Sequence, residues 1–149
     1  GHERGIIDSN IYNDGTGASV LTGGRRFSDS RSTDIFIHMD GQEVFKFAVK
    51  SVPTAIETLL HNNNMDINDV DKFILHQANV RIIESVAKRL KADKDKFPVN
   101  LNEYGNTSSA SIPILLDELN RNGSLKQGEK LVLAGFGAGL SWGSILLVW

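Results

Sequence analysis

"KFILHQANVRIIESVAKRL", Lys72 to Leu90, decides how this chain is built. It opens on the apolar run Phe73-Ile74-Leu75, as a strand buried inside a sheet would. Past His76 the period changes. Ile82, Ile83, Val86, Ala87 and Leu90 then recur at three- and four-residue spacing, along one face of a helix. A buried strand running straight into an amphipathic helix is a unit of α/β architecture. His76 and Asn79 stand at the corner between the two. Strand ends are partly exposed, which by itself accounts for polar residues there. The carboxyl ends of strands in α/β proteins are also where sites are built.

Upstream, "GIIDSNIY" and "GASVL" are short β-prone runs, and "TGGRRFSDSRSTD" is a polar connection. "IFIHM" (Ile35–Met39) reads as a strand that stops at a turn, Asp40-Gly41. From Gln42 to Leu60, Val44, Phe45, Ala48, Val49, Val52, Ile56, Leu59 and Leu60 take helical spacing. Pro53 predicts a kink or a restart in that helix, and Asn62-Asn63-Asn64 its end. Phe47 and Ala55 lie outside its main apolar stripe, so it reads as a helix buried on two sides. Downstream, "INDVD" is a short helical turn, and Ser108 to Asn122 is a helix closed by Gly123. "GEKLVLAGFG" and "LSWGSILLVW" are strands joined by a tight glycine-rich turn. The order predicts an α/β fold with helices covering a mixed sheet.

A chain of 149 residues, 40% hydrophobic and 23% charged, suits one compact domain. A net charge of −2 argues against a nucleic-acid binder built on phosphate contacts. No apolar run is long enough to span a bilayer, and "GHERGII" has no apolar signal core. Cysteine is absent, which excludes disulfides, thiolate metal sites and a thiol nucleophile within this chain. The four histidines show no metal-binding spacing, so no metal is expected.

Functional-looking residues gather in "HQAN" (His76–Asn79), "YGNTSSAS" (Tyr104–Ser111) and "GFGAGLSWGS" (Gly135–Ser144). His76 is either a backbone-satisfied strand-end histidine or a catalytic one. Asn106 is either the cap of the following helix or a site residue. "GFGAG" precedes a strand rather than a helix, which argues against a dinucleotide loop. Its glycines still permit close backbone approach to an oxyanion. From Arg81 to Lys96 six bases outnumber three acids, leaving the rest of the chain at −5. That stretch is a solvated helix face or a dock for an acidic partner.

In this order, "GQEVFKFAV", "HQANVRIIESVAKRL", "GNTSSASIPILLDE" and "GFGAGLSWGSILL" resemble the C-terminal half of β-ketoacyl-acyl carrier protein synthase III. The likeness runs from "GIIDSNIYNDG" to "LLVW", nearly the whole chain. It implies the C-terminal half of a thiolase-like fold, residues 1–40 leading in from an N-terminal half and 41–149 forming the condensing-enzyme domain. The implied activity is that of a cytoplasmic acyltransferase that starts fatty-acid synthesis. A cysteine takes an acyl group from a coenzyme A thioester, and malonyl-acyl carrier protein then loses carbon dioxide and condenses with it. No cofactor is implied beyond these substrates. His76 matches the family's histidine and Asn106 its asparagine, the pair that polarises the malonyl thioester. Ala138 stands where the oxyanion-hole backbone donor falls, a position that is glycine in close relatives. Gly41, Phe45 and Asn79 match the pantetheine channel; Lys46, Arg81, Lys88 and Arg89 match the surface that receives the acidic carrier protein. The nucleophilic cysteine belongs to the other half, so the chain alone is expected to be inactive and to self-associate. The alternative is a natural non-catalytic subunit that pairs with a cysteine-bearing partner or docks carrier protein.

Overall fold

The computed structural model describes residues 4–23 and 36–149. The elements in chain order are β1 (Gly5–Asn13), β2 (Leu21–Gly23), β3 (Ile37–Met39), α1 (Gly41–Asn62), β4 (Lys72–Leu75), α2 (Val80–Leu90), α3 (Leu101–Tyr104), α4 (Ser111–Arg121), β5 (Lys130–Gly137) and β6 (Ser141–Val148). Ile35 and residues 24–34 of the polar connection lie outside the described residues.

The main sheet has the order β1-β6-β5-β4. β4 runs parallel to β5, while β5–β6 and β6–β1 are antiparallel, so the sheet is mixed. β1, from the lead-in segment, is thus the edge strand beside β6. β2 and β3 form a separate antiparallel ribbon.

Alternation along the strands sorts side chains into two cores, because successive residues point to opposite faces. Phe73, Leu75, Val132, Ala134 and Leu146 pack with the buried faces of α1 and α2. Ile74 and Leu131 pack on the other face with Leu115 and Leu119 of α4 and with Leu125. Three layers result, with the sheet in the middle. All five α2 residues picked out by periodicity are buried. Each contributes roughly 1.5–3 kcal/mol relative to an exposed side chain, less for the alanine.

α1 opens on Asp40, whose carboxylate accepts from the N–H groups of Gln42 and Glu43, both at 3.0 Å. The expected turn at Asp40-Gly41 is therefore a helix cap. The expected restart at Pro53 does not occur: α1 runs unbroken for 22 residues. Proline removes one backbone donor and costs about 3 kcal/mol in a helix interior. Packing outweighs that cost here, since Val44, Ala48, Val52, Ile56, Leu59 and Leu60 are buried along the helix and Pro53 itself is buried. The Thr54 hydroxyl donates to the Lys50 carbonyl at 3.0 Å, adding a bond in the same turn. Asn64 closes the helix in the left-handed region at φ 54°.

Ala55 is buried, and Phe47 meets Phe136 and Trp142 edge-on, with ring centroids 6.3 and 5.2 Å away. α1 is therefore covered on both of the sides its sequence suggested. Exposed apolar surface lies instead on the strands, with Ile6 at 69%, Ile11 at 78%, Ile37 at 75% and Met39 at 60% exposure. No helix among the described residues is long and apolar enough to cross a membrane.

Candidate active site

At the carboxyl end of β4 the chain makes one more sheet bond, from His76 N–H to the Ala134 carbonyl at 2.9 Å, and then turns away. His76 is half-buried, its ring edge-on to Phe136 with centroids 5.4 Å apart. Its Nδ1 lies 2.7 Å from the Ser111 hydroxyl. Among the described residues its Nε2 has no hydrogen-bond partner. Burial lowers its pKa below the ordinary 6.5, because desolvation penalises the charged imidazolium. The imidazole is therefore neutral at neutral pH.

Asn106 lies in the loop between α3 and α4 and is exposed. Its Oδ1 accepts from the Ser108 N–H at 3.0 Å, a local Asx turn. It does not cap α4, whose first turn follows Ala110 and takes no side-chain cap. With the oxygen committed, the Asn106 NH₂ is the end left to donate. Ser108, which supplies the fixing N–H, sits in the left-handed region at φ 54°.

These groups meet at a cavity of about 730 Å³. His76, Asn106, Ser108, Ser111 and Ala138 line its polar side; Leu21, Ile37, Met39, Val44, Ile112 and Phe136 supply an apolar wall. Ala138 opens the turn between β5 and β6, is exposed, and its N–H makes no bond within the described residues. A neutral imidazole, a carboxamide and a residue with an unbonded backbone N–H thus border one space, and N–H donors at such a place stabilise negative charge developing on an oxygen.

The remaining predicted residues sit nearby with other visible roles. Asn79 caps α2, its Oδ1 accepting from the Arg81 N–H at 2.8 Å. The Arg81 guanidinium lies over the Phe45 ring, 5.8 Å from its centroid. Gly41 opens α1, where a Cβ would come within 4.0 Å of the Met39 methyl. Lys88 and Arg89 are exposed in the last turn of α2, favourably placed at a helix C-terminus. Lys46 is exposed and pairs with Glu43 at 2.7 Å. None of these residues lines the cavity that holds His76 and Asn106.

Sequence reasoning passed over two residues. Ser111 is 3% exposed and Gln77 1% exposed, and both bind beside His76. Their only signal was position, Gln77 inside "HQAN" and Ser111 at the end of "YGNTSSAS".

Solved structures share this architecture. The crystal structure of β-ketoacyl-[acyl carrier protein] synthase III from Thermus thermophilus superposes with a TM-score of 0.90 at 38% identity, covering 98% of this chain and 46% of that one. The fold is accordingly the C-terminal half of a thiolase-like α/β protein, with helices on both faces of a mixed sheet. A family model described as 3-oxoacyl-[acyl-carrier-protein (ACP)] synthase III C terminal matches residues 60–149, and the chain belongs to that family. The synthase III of Clostridium tetani is 44% identical over 99% of this chain and 48% of its own length. That of Pyropia yezoensis is 55% identical over 76% of this chain and 35% of its own. The chain spans about half the length of the curated relatives it matches.

Proposed function

We propose that this chain is the carbonyl-polarising half of a β-ketoacyl-acyl carrier protein synthase III. One observation carries the reading. His76 Nε2 and the Asn106 NH₂ have no hydrogen-bond partner among the described residues, and both residues line one cavity with Ala138, whose N–H is likewise unbonded among them. In the complete protein a cysteine from the other half would hold an acyl group taken from coenzyme A. Malonyl-acyl carrier protein would place its thioester oxygen against His76 and Asn106. As the bond between the carboxylate carbon and the α-carbon breaks, its electron pair moves onto that oxygen and carbon dioxide departs. Two neutral donors stabilise the enolate without protonating it, which a cationic imidazolium would do. The enolate carbon then attacks the acyl thioester and expels the cysteine thiolate, while the acyl tetrahedral oxygen draws on the Ala138 N–H.

Gly41, Phe45 and Asn79 would border the pantetheine arm; Lys46, Arg81, Lys88 and Arg89 would meet the acidic carrier protein. The test separates decarboxylation from condensation. This chain alone is expected to show neither acyl uptake nor condensation. Added to a folded cysteine-bearing half, it restores both, and His76→Ala or Asn106→Ala in that complex lowers malonyl decarboxylation by about a hundredfold or more. A well-folded complex that takes up no acyl group overturns the reading.

A further inference from the structure

We propose that Ser111 is a positioning residue that locks His76 in its Nε2–H tautomer, so that the ring always turns a donor, never a lone pair, toward the cavity. Ser111 begins α4 and is buried, at 3% exposure. Its hydroxyl has two partners, the Gln77 N–H at 3.2 Å and His76 Nδ1 at 2.7 Å. A backbone N–H can only donate, so Gln77 occupies one lone pair of the serine oxygen. If Nδ1 also carried a proton, the oxygen would accept twice and its own proton would have no acceptor among the described residues. Leaving a buried donor unmade disfavours that tautomer about tenfold or more. The serine therefore donates to Nδ1, and the neutral ring keeps its proton on Nε2, the nitrogen with no partner among the described residues.

The lock is itself held by a chain of hydrogen bonds that α4 closes on itself. The Gln77 side chain donates from Nε2 to the Leu75 carbonyl at 2.9 Å and accepts from the Asn100 N–H at 3.2 Å. Asn100 donates through Nδ2 to Glu118 at 2.8 Å, and Glu118 lies on α4 with Ser111. The strand end that carries His76, the segment before α3 and α4 itself are thus tied together, which holds the Gln77 N–H on the serine.

Only the catalytic meaning of the lock rests on the function proposed above; the tautomer exists without substrate. The experiment records long-range ¹H–¹⁵N spectra of the ¹⁵N-histidine-labelled full-length protein at neutral pH, with His76→Gln assigning the signal. One tautomer is expected for His76, Nε2 pyrrole-like and Nδ1 pyridine-like. Ser111→Ala is expected to show both tautomers, and Ser111→Thr, which keeps the hydroxyl, to restore one. In the same proteins Ser111→Ala should lower kcat for malonyl-thioester decarboxylation about tenfold, leave KM within about twofold, and be rescued by threonine. A wild-type ring protonated on Nδ1 overturns the proposal, as does a Ser111→Ala protein that keeps a single Nε2–H signal. Should Ser111→Ala fail to fold, the wild-type and threonine spectra decide. A lock seen by NMR in a protein without decarboxylase activity upholds the proposal and removes the proposed function instead.

Discussion

Burial makes His76 a group whose protonation opposes folding. Its native pKa lies below the 6.5 it has when solvated, so above that value neither state is charged and pH has no effect through this residue. As pH falls through 6.5 the unfolded chain binds a proton that the native state refuses, and stability drops. The loss levels off only once pH passes below the native pKa. Urea unfolding of wild type and His76→Gln at pH about 7.5 and about 5.5 measures this. Wild type is expected to lose more stability than the variant over that interval, and equal losses would refute the assignment. The sequence made His76 and Asn106 visible because each stands at an element boundary beside a motif. It hid Ser111 and Gln77, because a serine near a helix start reads as an ordinary cap and a glutamine beside a histidine reads as surface. Which way a hydroxyl points across 34 or 35 residues is a tertiary matter.

Elements with strong period are legible for a simple reason: in α2 the apolar stripe and the tertiary environment agree, and Asn79 caps its start. Of the kink or restart expected at Pro53, the restart does not occur, because the packing of α1 against sheet and α2 outweighs the local cost. α3, four residues long, carries no periodic signal at all. The β1–β6 pairing also lay beyond pattern reading, although Gly143 records it. A Cβ there would stand 2.5 Å from the Asn10 carbonyl oxygen, which is backbone and cannot swing aside. Asn10 meanwhile accepts from the Ser144 N–H and hydroxyl, at 3.0 and 2.7 Å, and donates to the Ala55 carbonyl at 2.8 Å. Gly143→Ala should therefore separate the two strands and cost about 1–3 kcal/mol in urea or thermal unfolding. Gly137→Ala, where a Cβ meets nothing within 4 Å, is the control and should cost a fraction of that. Equal effects at the two sites would show that the close approach is not what requires glycine.

At the scale of the molecule, the cluster under α4 takes in Ile74, Leu131 and, at its margin, Leu147 of β6, while Ile6 and Ile11 of β1 stay exposed. Exposed apolar side chains on an edge strand favour association. The isolated chain is expected to form dimers or larger species in sedimentation at high concentration, and Ile11→Lys to shift the distribution toward monomer. A strictly monomeric wild-type chain would contradict this. α1 does not add to that surface, because Ala55 is buried and Phe47 finds Phe136 and Trp142 within the chain.

The pairing of Gly5 with Val148 has a consequence in time. Of the described elements, a ribosome releases β1 before the others and its sheet neighbour β6 after them. At about 5–20 residues per second, the isoleucine-rich strand waits on the order of ten seconds for β6 to emerge. α1 and α2 can coil meanwhile, since their contacts are local, but the sheet cannot close. Synthesis thus opens a window in which Ile6, Ile7 and Ile11 are available to any unpaired strand nearby, and the nascent chain needs shelter for that interval more than the finished one does.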